Sequence, residues 1–264
     1  MNRIDRTFKS LKARKKKAFI AYITAGDPDI ASTGRLVLGL EGSGVDIIEL
    51  GVPFSDPVAD GPTIQAASQR ALAKGVTVRK ILGMVKTLRA KTQIPLVLMT
   101  YYNPVLRYGL NSFFSACRNS GVDGVIVPDL PAEESSELIR AGRASGVATI
   151  FLVAPTSTPR RVKDITKKSK GFIYYVSLTG VTGARSKLPP DIVANIRRIK
   201  HASGKPVAVG FGVSSAPQAY GLARVADGVI VGSAIVKIIG EKKNIVSRVS
   251  RFAKSLAKAI HSAW

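Results

Sequence analysis

Eight short apolar runs, evenly spaced and separated by longer segments of helical period, constrain this chain more than any other feature. The runs cover residues 18–24, 46–51, 95–101, 123–128, 148–153, 171–177, 206–211 and 227–231. They are rich in Val and Ile and apolar almost throughout, the pattern of parallel strands buried on both faces. Between them, residues 30–42, 62–74, 110–119, 132–145, 190–202 and 216–225 read as helices. Eight βα units with no linker predict an α/β fold: one closed (β/α)8 or TIM barrel, a single domain over residues 1–264. An open doubly wound sheet is the alternative, and the even spacing favours closure. Ahead of the first strand, Ile4, Phe8 and Leu11 recur at i, i+4 and i+7, one apolar stripe of an N-terminal helix expected to cover the barrel bottom. A basic membrane-surface helix competes, but the stripe is thin for that role. Residues 244–260 form a second amphipathic basic helix, expected to close the outer ring.

A weak repeat fits this arrangement. Asp46, Asp123 and Asp227 each sit just before a strand. That end of a barrel is its stability face, so these aspartates are expected to be structural.

Forty Lys and Arg face 17 Asp and Glu, a formal net charge of +23. Such a balance suits nucleic acid, anionic lipid or phosphorylated substrates. The basic residues are spread over most of the helical segments, and only residues 12–17 form a dense cluster, so a solvated surface is the plainer reading. No apolar run approaches the roughly 20 residues that span a bilayer. The basic start and short apolar run of residues 3–23 read as mature protein rather than a signal peptide. Cys117 is the only cysteine, which suits a reducing, cytoplasmic setting. With one Cys and two His (His201 and His261), no metal site is expected.

Barrel active sites lie at the C-terminal ends of the strands. Few carboxylates fall there: Asp27, Glu49, Asp56, Asp60 and Asp129. Glu49 lies inside the apolar run Ile47-Ile48-Glu49-Leu50-Gly51. A buried carboxylate there is either a structural acid or a general acid/base with a raised pKa. The following loop is stiffened by Pro53, Pro57 and Pro62, turns at Gly51 and Gly61, and holds Asp60 near its end. Two carboxylates so placed have different surroundings and different proton affinities. Gly212 after the seventh run, and Gly232 and Ser233 after the eighth, stand where barrels of this type bind phosphate, at close-approaching backbone amides and a helix N-terminus. Thr182 and Gly183 are candidates to join them; ordinary strand-to-helix turns are the alternative. The long polar loop over residues 178–190 is either a mobile lid or simple surface chain.

Together these residues resemble the tryptophan synthase alpha subunit family. The resemblance runs from Phe19 to Ile239. It rests on Tyr22-Ile23-Thr24-Ala25-Gly26-Asp27-Pro28, on Glu49-Leu50-Gly51-Val52-Pro53-Phe54-Ser55-Asp56-Pro57 with Ala59-Asp60-Gly61-Pro62, and on Tyr101 with Asn103-Pro104. Asp129-Leu130-Pro131, Gly180-Val181-Thr182-Gly183, Gly210-Phe211-Gly212 and Gly232-Ser233-Ala234-Ile235-Val236 complete it. It implies reversible retro-aldol cleavage of indole-3-glycerol phosphate to indole and glyceraldehyde 3-phosphate. Glu49 matches the family's proton-transferring glutamate, Asp60 its second carboxylate and Tyr174 its active-site tyrosine. Tyr22, Met99, Tyr101, Ile126, Leu152, Thr182 and Phe211 would line the substrate slot, and Gly183, Gly212, Gly232 and Ser233 would hold the phosphate. The resemblance implies no cofactor in this chain. It does imply a partner beta subunit that binds pyridoxal phosphate, in an alpha2beta2 tetramer, met through the loops around Asp56-Pro57, Asn103 and Pro131. Leu178 departs from the Arg of some members, and the charge of +23 is unusual among them.

Three rivals bear on the same residues. Indole-glycerol-phosphate synthase would need lysines at strand ends, whereas Lys205 precedes the seventh run. A standalone indole-releasing lyase would act without a beta chain. A non-enzymatic basic binding protein would have no use for both Glu49 and Asp60. Neither nucleic acid nor a membrane is expected as a partner.

Overall fold

The computed structural model describes residues 1–176, 190–210, 212–241 and 243–264. The apolar runs form β1 (Ala18–Thr24), β2 (Ile47–Gly51), β3 (Leu96–Met99), β4 (Gly124–Ile126), β5 (Ala148–Ile150), β6 (Leu152–Val153), β7 (Ile173–Val176), β8 (Val207–Gly210) and β9 (Gly228–Val231). All pair in parallel, in the order β5-β4-β3-β2-β1-β9-β8-β7-β6. The two ends of that ladder, β5 and β6, flank the single residue Phe151. The nine strands are therefore eight staves closed into a barrel, with one stave interrupted.

The stave expected as continuous over 148–153 breaks for a local reason. The Phe151 amide donates to Ser169 Oγ at 3.2 Å, and that hydroxyl donates to the Phe172 carbonyl at 2.8 Å. A buried serine side chain thus stands in for a strand partner. The Phe151 carbonyl still accepts from the Tyr174 amide at 3.1 Å, which carries the closure across to β7.

The helices before the midpoint are α1 (Arg3–Ala13), α2 (Ile30–Glu41), α3 (Pro62–Ala73), α4 (Val78–Leu88), α5 (Tyr102–Tyr108) and α6 (Leu110–Ser120). Those after it are α7 (Ser136–Ser145), α8 (Pro159–Lys168), α9 (Pro190–Ala202), α10 (Ala216–Ala223), α11 (Ser233–Gly240) and α12 (Ile245–His261). The helix expected from residue 132 starts later, at Ser136. Ser135 Oγ and Lys168 Nζ both donate to the Ala132 carbonyl, at 2.8 and 2.7 Å, and hold residues 132–135 as a turn.

The N-terminal helix covers the barrel bottom as expected. Asn2 caps α1 in a capping box with Asp5. Ile4, Phe8 and Leu11 are buried against Ala18, Ala148 and Phe172, in one cluster with the inward-facing Ile20, Ile47, Val97, Ile126, Ala208 and Ile230. The Phe8 and Phe172 rings lie 5.8 Å apart. Gly124 makes this approach possible, because a Cβ there would stand 3.0 Å from Ile4 Cδ1.

The aspartate repeat proves to be a set of clamps. Asp46, Asp123 and Asp227 each donate a backbone N–H to a neighbouring strand, at the carbonyls of Phe19, Leu96 and Val207, all at 2.9 Å. Each carboxylate accepts the N–H of that same residue, at 2.8, 3.0 and 3.0 Å. The remaining lone pairs meet His261, Arg3 with Arg89, and Lys200 respectively. Pairing and hydrogen bonding of this kind offset the cost of withdrawing an ionised carboxylate from water.

Candidate active site

Alternation along β2 places Ile47 in the inner cluster and so turns Glu49 inward, in register with Tyr22 on β1 and Val97 on β3. Glu49 is completely buried, and neither carboxyl oxygen has a hydrogen-bond partner among the described residues. Burial alone drives its pKa up to about 8. The Tyr22 ring lies across the end of β2, where a Cβ on Gly51 would fall 2.1 Å from the phenol oxygen. Only glycine leaves room for it. Both Tyr22 and Tyr174 have hydroxyls raised far above the ordinary value, chiefly by burial and further by Glu49 and Asp60. These four groups therefore share one electrostatic environment at the C-terminal end of the barrel.

Asp60 is set by the loop between β2 and α3. Its amide donates to the Pro57 carbonyl at 3.0 Å, and its carbonyl accepts from Gln65 Nε2 at 2.8 Å. The neighbouring Ala59 amide donates to the Tyr101 hydroxyl at 2.9 Å, and the Tyr101 ring stacks on Phe54 at 5.2 Å. α3 then starts on Pro62 as its first residue. Burial raises the Asp60 carboxyl, with the Tyr101 hydroxyl opposing.

A cavity of about 600 Å³ opens at this end. Its wall brings together Tyr22, Asp60, Met99, Leu152 and Tyr174 with Gly212, Gly232 and Ser233. Ser233 opens α11, so the first-turn amides of that helix lie at the wall. Gly212 adopts φ 58°, a left-handed conformation that favours glycine. Three other expected residues are not on the wall. Glu49 lies sealed behind it, Tyr101 braces the Asp60 loop, and Ile126 is in the inner core. Thr182, Gly183 and Phe211 lie outside the described residues, as do residues 178–189 of the expected lid.

Comparison with known proteins decides the family. The family model for the tryptophan synthase alpha chain matches residues 8–261. The tryptophan synthase alpha chain of Geotalea daltonii is 53% identical over 237 residues, 90% of each chain. That of Caldanaerobacter subterraneus is 49% identical over 263 residues, 98% of this chain and all of its own. The chain belongs to the tryptophan synthase alpha chain family.

Solved structures agree in shape. Tryptophan synthase subunit alpha from Legionella pneumophila superposes with a TM-score of 0.92 at 39% identity, covering 98% of both chains. A chain of tryptophan synthase from Mycobacterium tuberculosis, in an aminoacrylate-bound form, gives 0.89 at 38% identity. Two of the other strand-end acids are held structurally. Asp27 is held by Arg70 through two hydrogen bonds of 2.8 and 2.7 Å, and Asp129 accepts the Tyr102 amide at 3.0 Å. The wall also contains Asp129, expected at a strand end, and residues that sequence reasoning passed over: Ile64, Ser157, Arg161 and Ile230. Period-two alternation along β9 marks Ile230 as inward-facing. Arg161, which pairs with Glu133 at 3.0 Å, carries no sequence signal for its place.

Proposed function

We propose that this alpha chain splits indole-3-glycerol phosphate reversibly into indole and glyceraldehyde 3-phosphate, with Glu49 moving the protons. The observation that supports this most is a fully buried Glu49, unpartnered among the described residues, beside a cavity that presents Asp60 on its wall. With a pKa of about 8, Glu49 is a carboxylic acid at neutral pH and has a proton to give. It protonates indole C3, and the ring nitrogen becomes positively charged. Asp60 accepts the N–H hydrogen bond and stabilises that charge. The bond from C3 to the side chain then breaks. Its electron pair returns to the ring as the C2–C3 double bond, and the neighbouring hydroxyl loses its proton to Glu49 as the aldehyde forms. The proton given is replaced by the proton taken, so the carboxyl ends as it began.

Glu49 is sealed behind the wall, so its carboxyl must turn about its side-chain bonds to reach C3. No hydrogen bond to the described residues has to break for that turn. Tyr174, whose hydroxyl feels the Glu49 charge, is read as the third member of the catalytic group. Tyr22, Met99 and Leu152 enclose the indole from the cavity wall, and the family resemblance assigns Tyr101, Ile126, Thr182 and Phe211 to the same slot. Gly183, Gly212, Gly232 and Ser233 take the phosphate through backbone amides and the α11 N-terminus.

The proton bookkeeping closes without a metal or organic cofactor in this chain. We read pyridoxal phosphate as belonging to a partner beta subunit in an alpha2beta2 tetramer. Asp56, Asn103 and Pro131 are exposed at the cavity end, and Val58 beside them is 85% exposed, which suits a partner surface there. The main core cluster runs from Phe19 to Ala263, which supports one domain over the whole chain. No helix among the described residues is long and apolar enough to cross a membrane. We place the protein in the cytoplasm on its lone, buried Cys117. The test is indole release from indole-3-glycerol phosphate, by the chain alone and with a beta chain added. Release stimulated by the beta chain is the expected result; full activity alone would indicate a standalone lyase, and none in either case would overturn the reading.

A further inference from the structure

A second cavity, of about 530 Å³, lies at the opposite end of the barrel. There α1, the turn after it, the end of α9 and the last residue of the chain meet. Lys9, Lys12, Lys16, Lys17, Lys200 and Lys205 line it, against only Asp5 and Asp227. Both acids are already engaged. Asp5 accepts the Asn2 amide in the α1 capping box, and Asp227 accepts the Val207 amide and Lys200 Nζ. Lys9, Lys12 and Lys16 have no carboxylate partner among the described residues, and Lys17 reaches Asp227 only at 4.0 Å. Like charges gathered in a concave surface concentrate the field and attract anions.

Most of the remaining wall is apolar. Phe8, Leu11 and Pro206 also line it, and the Trp264 ring stands at its edge, 59% exposed. Lys17 Nζ lies 4.8 Å from the centroid of that ring. The Lys17 ammonium is held below the ordinary lysine value by burial and by Lys200, with Asp227 opposing. Lys205 is lowered likewise, by burial and Lys170. An anion bound here would relieve both.

We propose that this basal cavity binds a polyphosphate chain carried by a small molecule, with the phosphates over the lysines and the Trp264 ring open to a planar group at the chain's end. Six lysines against two acids leave four positive charges, more than one phosphate carries. Lysine ammoniums are point charges on flexible stems and suit a run of phosphates without the fixed fork of arginine. The volume lies in the usual range for small-molecule sites, about 300–1,000 Å³. The proposal is independent of the reading of the upper cavity.

Trp264 is the only tryptophan, so its emission reports on this cavity directly. The full chain is titrated with inorganic triphosphate and, separately, with ATP, at roughly 0.15 M salt to screen diffuse attraction. The expected result is a saturable change with both. Tighter binding of ATP would assign a base contact to Trp264; equal affinity would mean that the chain alone is read. Lys9→Ala with Lys12→Ala, both exposed on α1, should weaken binding by about tenfold or more, as loss of two charge contacts of roughly 0.7 kcal/mol each implies. Lys86→Ala with Lys91→Ala removes the same charge from exposed positions outside the cavity and should titrate like the parent. Calorimetry repeats the titrations without relying on the fluorophore. No saturable binding of either ligand, or equal weakening in both double variants, overturns the proposal.

Discussion

A carboxyl group enclosed by apolar side chains holds its proton, and Glu49 does so up to about pH 8 against an ordinary glutamate value of 4.5. Between those values the native state binds a proton that the unfolded chain releases. Native stability is therefore unaffected by this group below pH 4.5, falls as pH rises through the window, and levels off above pH 8. Glu49→Gln removes the dependence. In urea titrations the variant should match the parent within about 1 kcal/mol near pH 5 and exceed it by a few kcal/mol at pH 9, since one pKa unit is worth roughly 1.4 kcal/mol. Equal stability at pH 9 would mean that the native state does not hold the proton. Gly51→Ala should act through Tyr22, whose phenol oxygen would lie 2.1 Å from the new Cβ. Thermal unfolding should show a loss of about 1–3 kcal/mol, and indole release should fall because Tyr22 is displaced from the cavity wall. Glu49 was legible in the sequence as an acid inside an apolar strand. That Tyr22 and Glu49 are brought together over Gly51 was not, because such packing joins adjacent staves that are far apart in sequence.

At the level of elements, the strands and most helices follow from period and composition, and the aspartate clamps follow from a repeat visible before each strand. The break at Phe151 does not. It depends on the hydroxyl of Ser169, a residue 18 positions away with no periodicity to mark it. Ser169→Ala should leave the Phe151 amide buried without a partner, costing about 1–3 kcal/mol. Hydrogen exchange should be faster at Phe151 than in the parent, while exchange in β1 and β2 should be unchanged. The late start of α7 has the same kind of cause, since Lys168 reaches back to the Ala132 carbonyl from another helix.

Across the whole molecule the two ends of the barrel divide the work. The C-terminal ends of the strands gather Asp60, two tyrosines and the turns at Gly212 and Gly232 around a cavity, with Glu49 behind it. The other end carries the clamps, α1 and a lysine-lined cavity. The charge of +23 was legible as a quantity but not as a place. Only the fold brings α1, the residues after it, the end of α9 and Trp264 around one space lined by six of its lysines. At the upper end, the proposed reaction has Glu49 both give and take the proton. The most direct measurement is the rate of indole release from indole-3-glycerol phosphate by Glu49→Gln, at substrate saturation and with the beta chain present. Gln fills the same space but cannot transfer the proton, so kcat should fall by roughly 10²–10⁴-fold with KM little changed. A kcat within a few-fold of the parent, in a variant shown to be folded, would contradict the account.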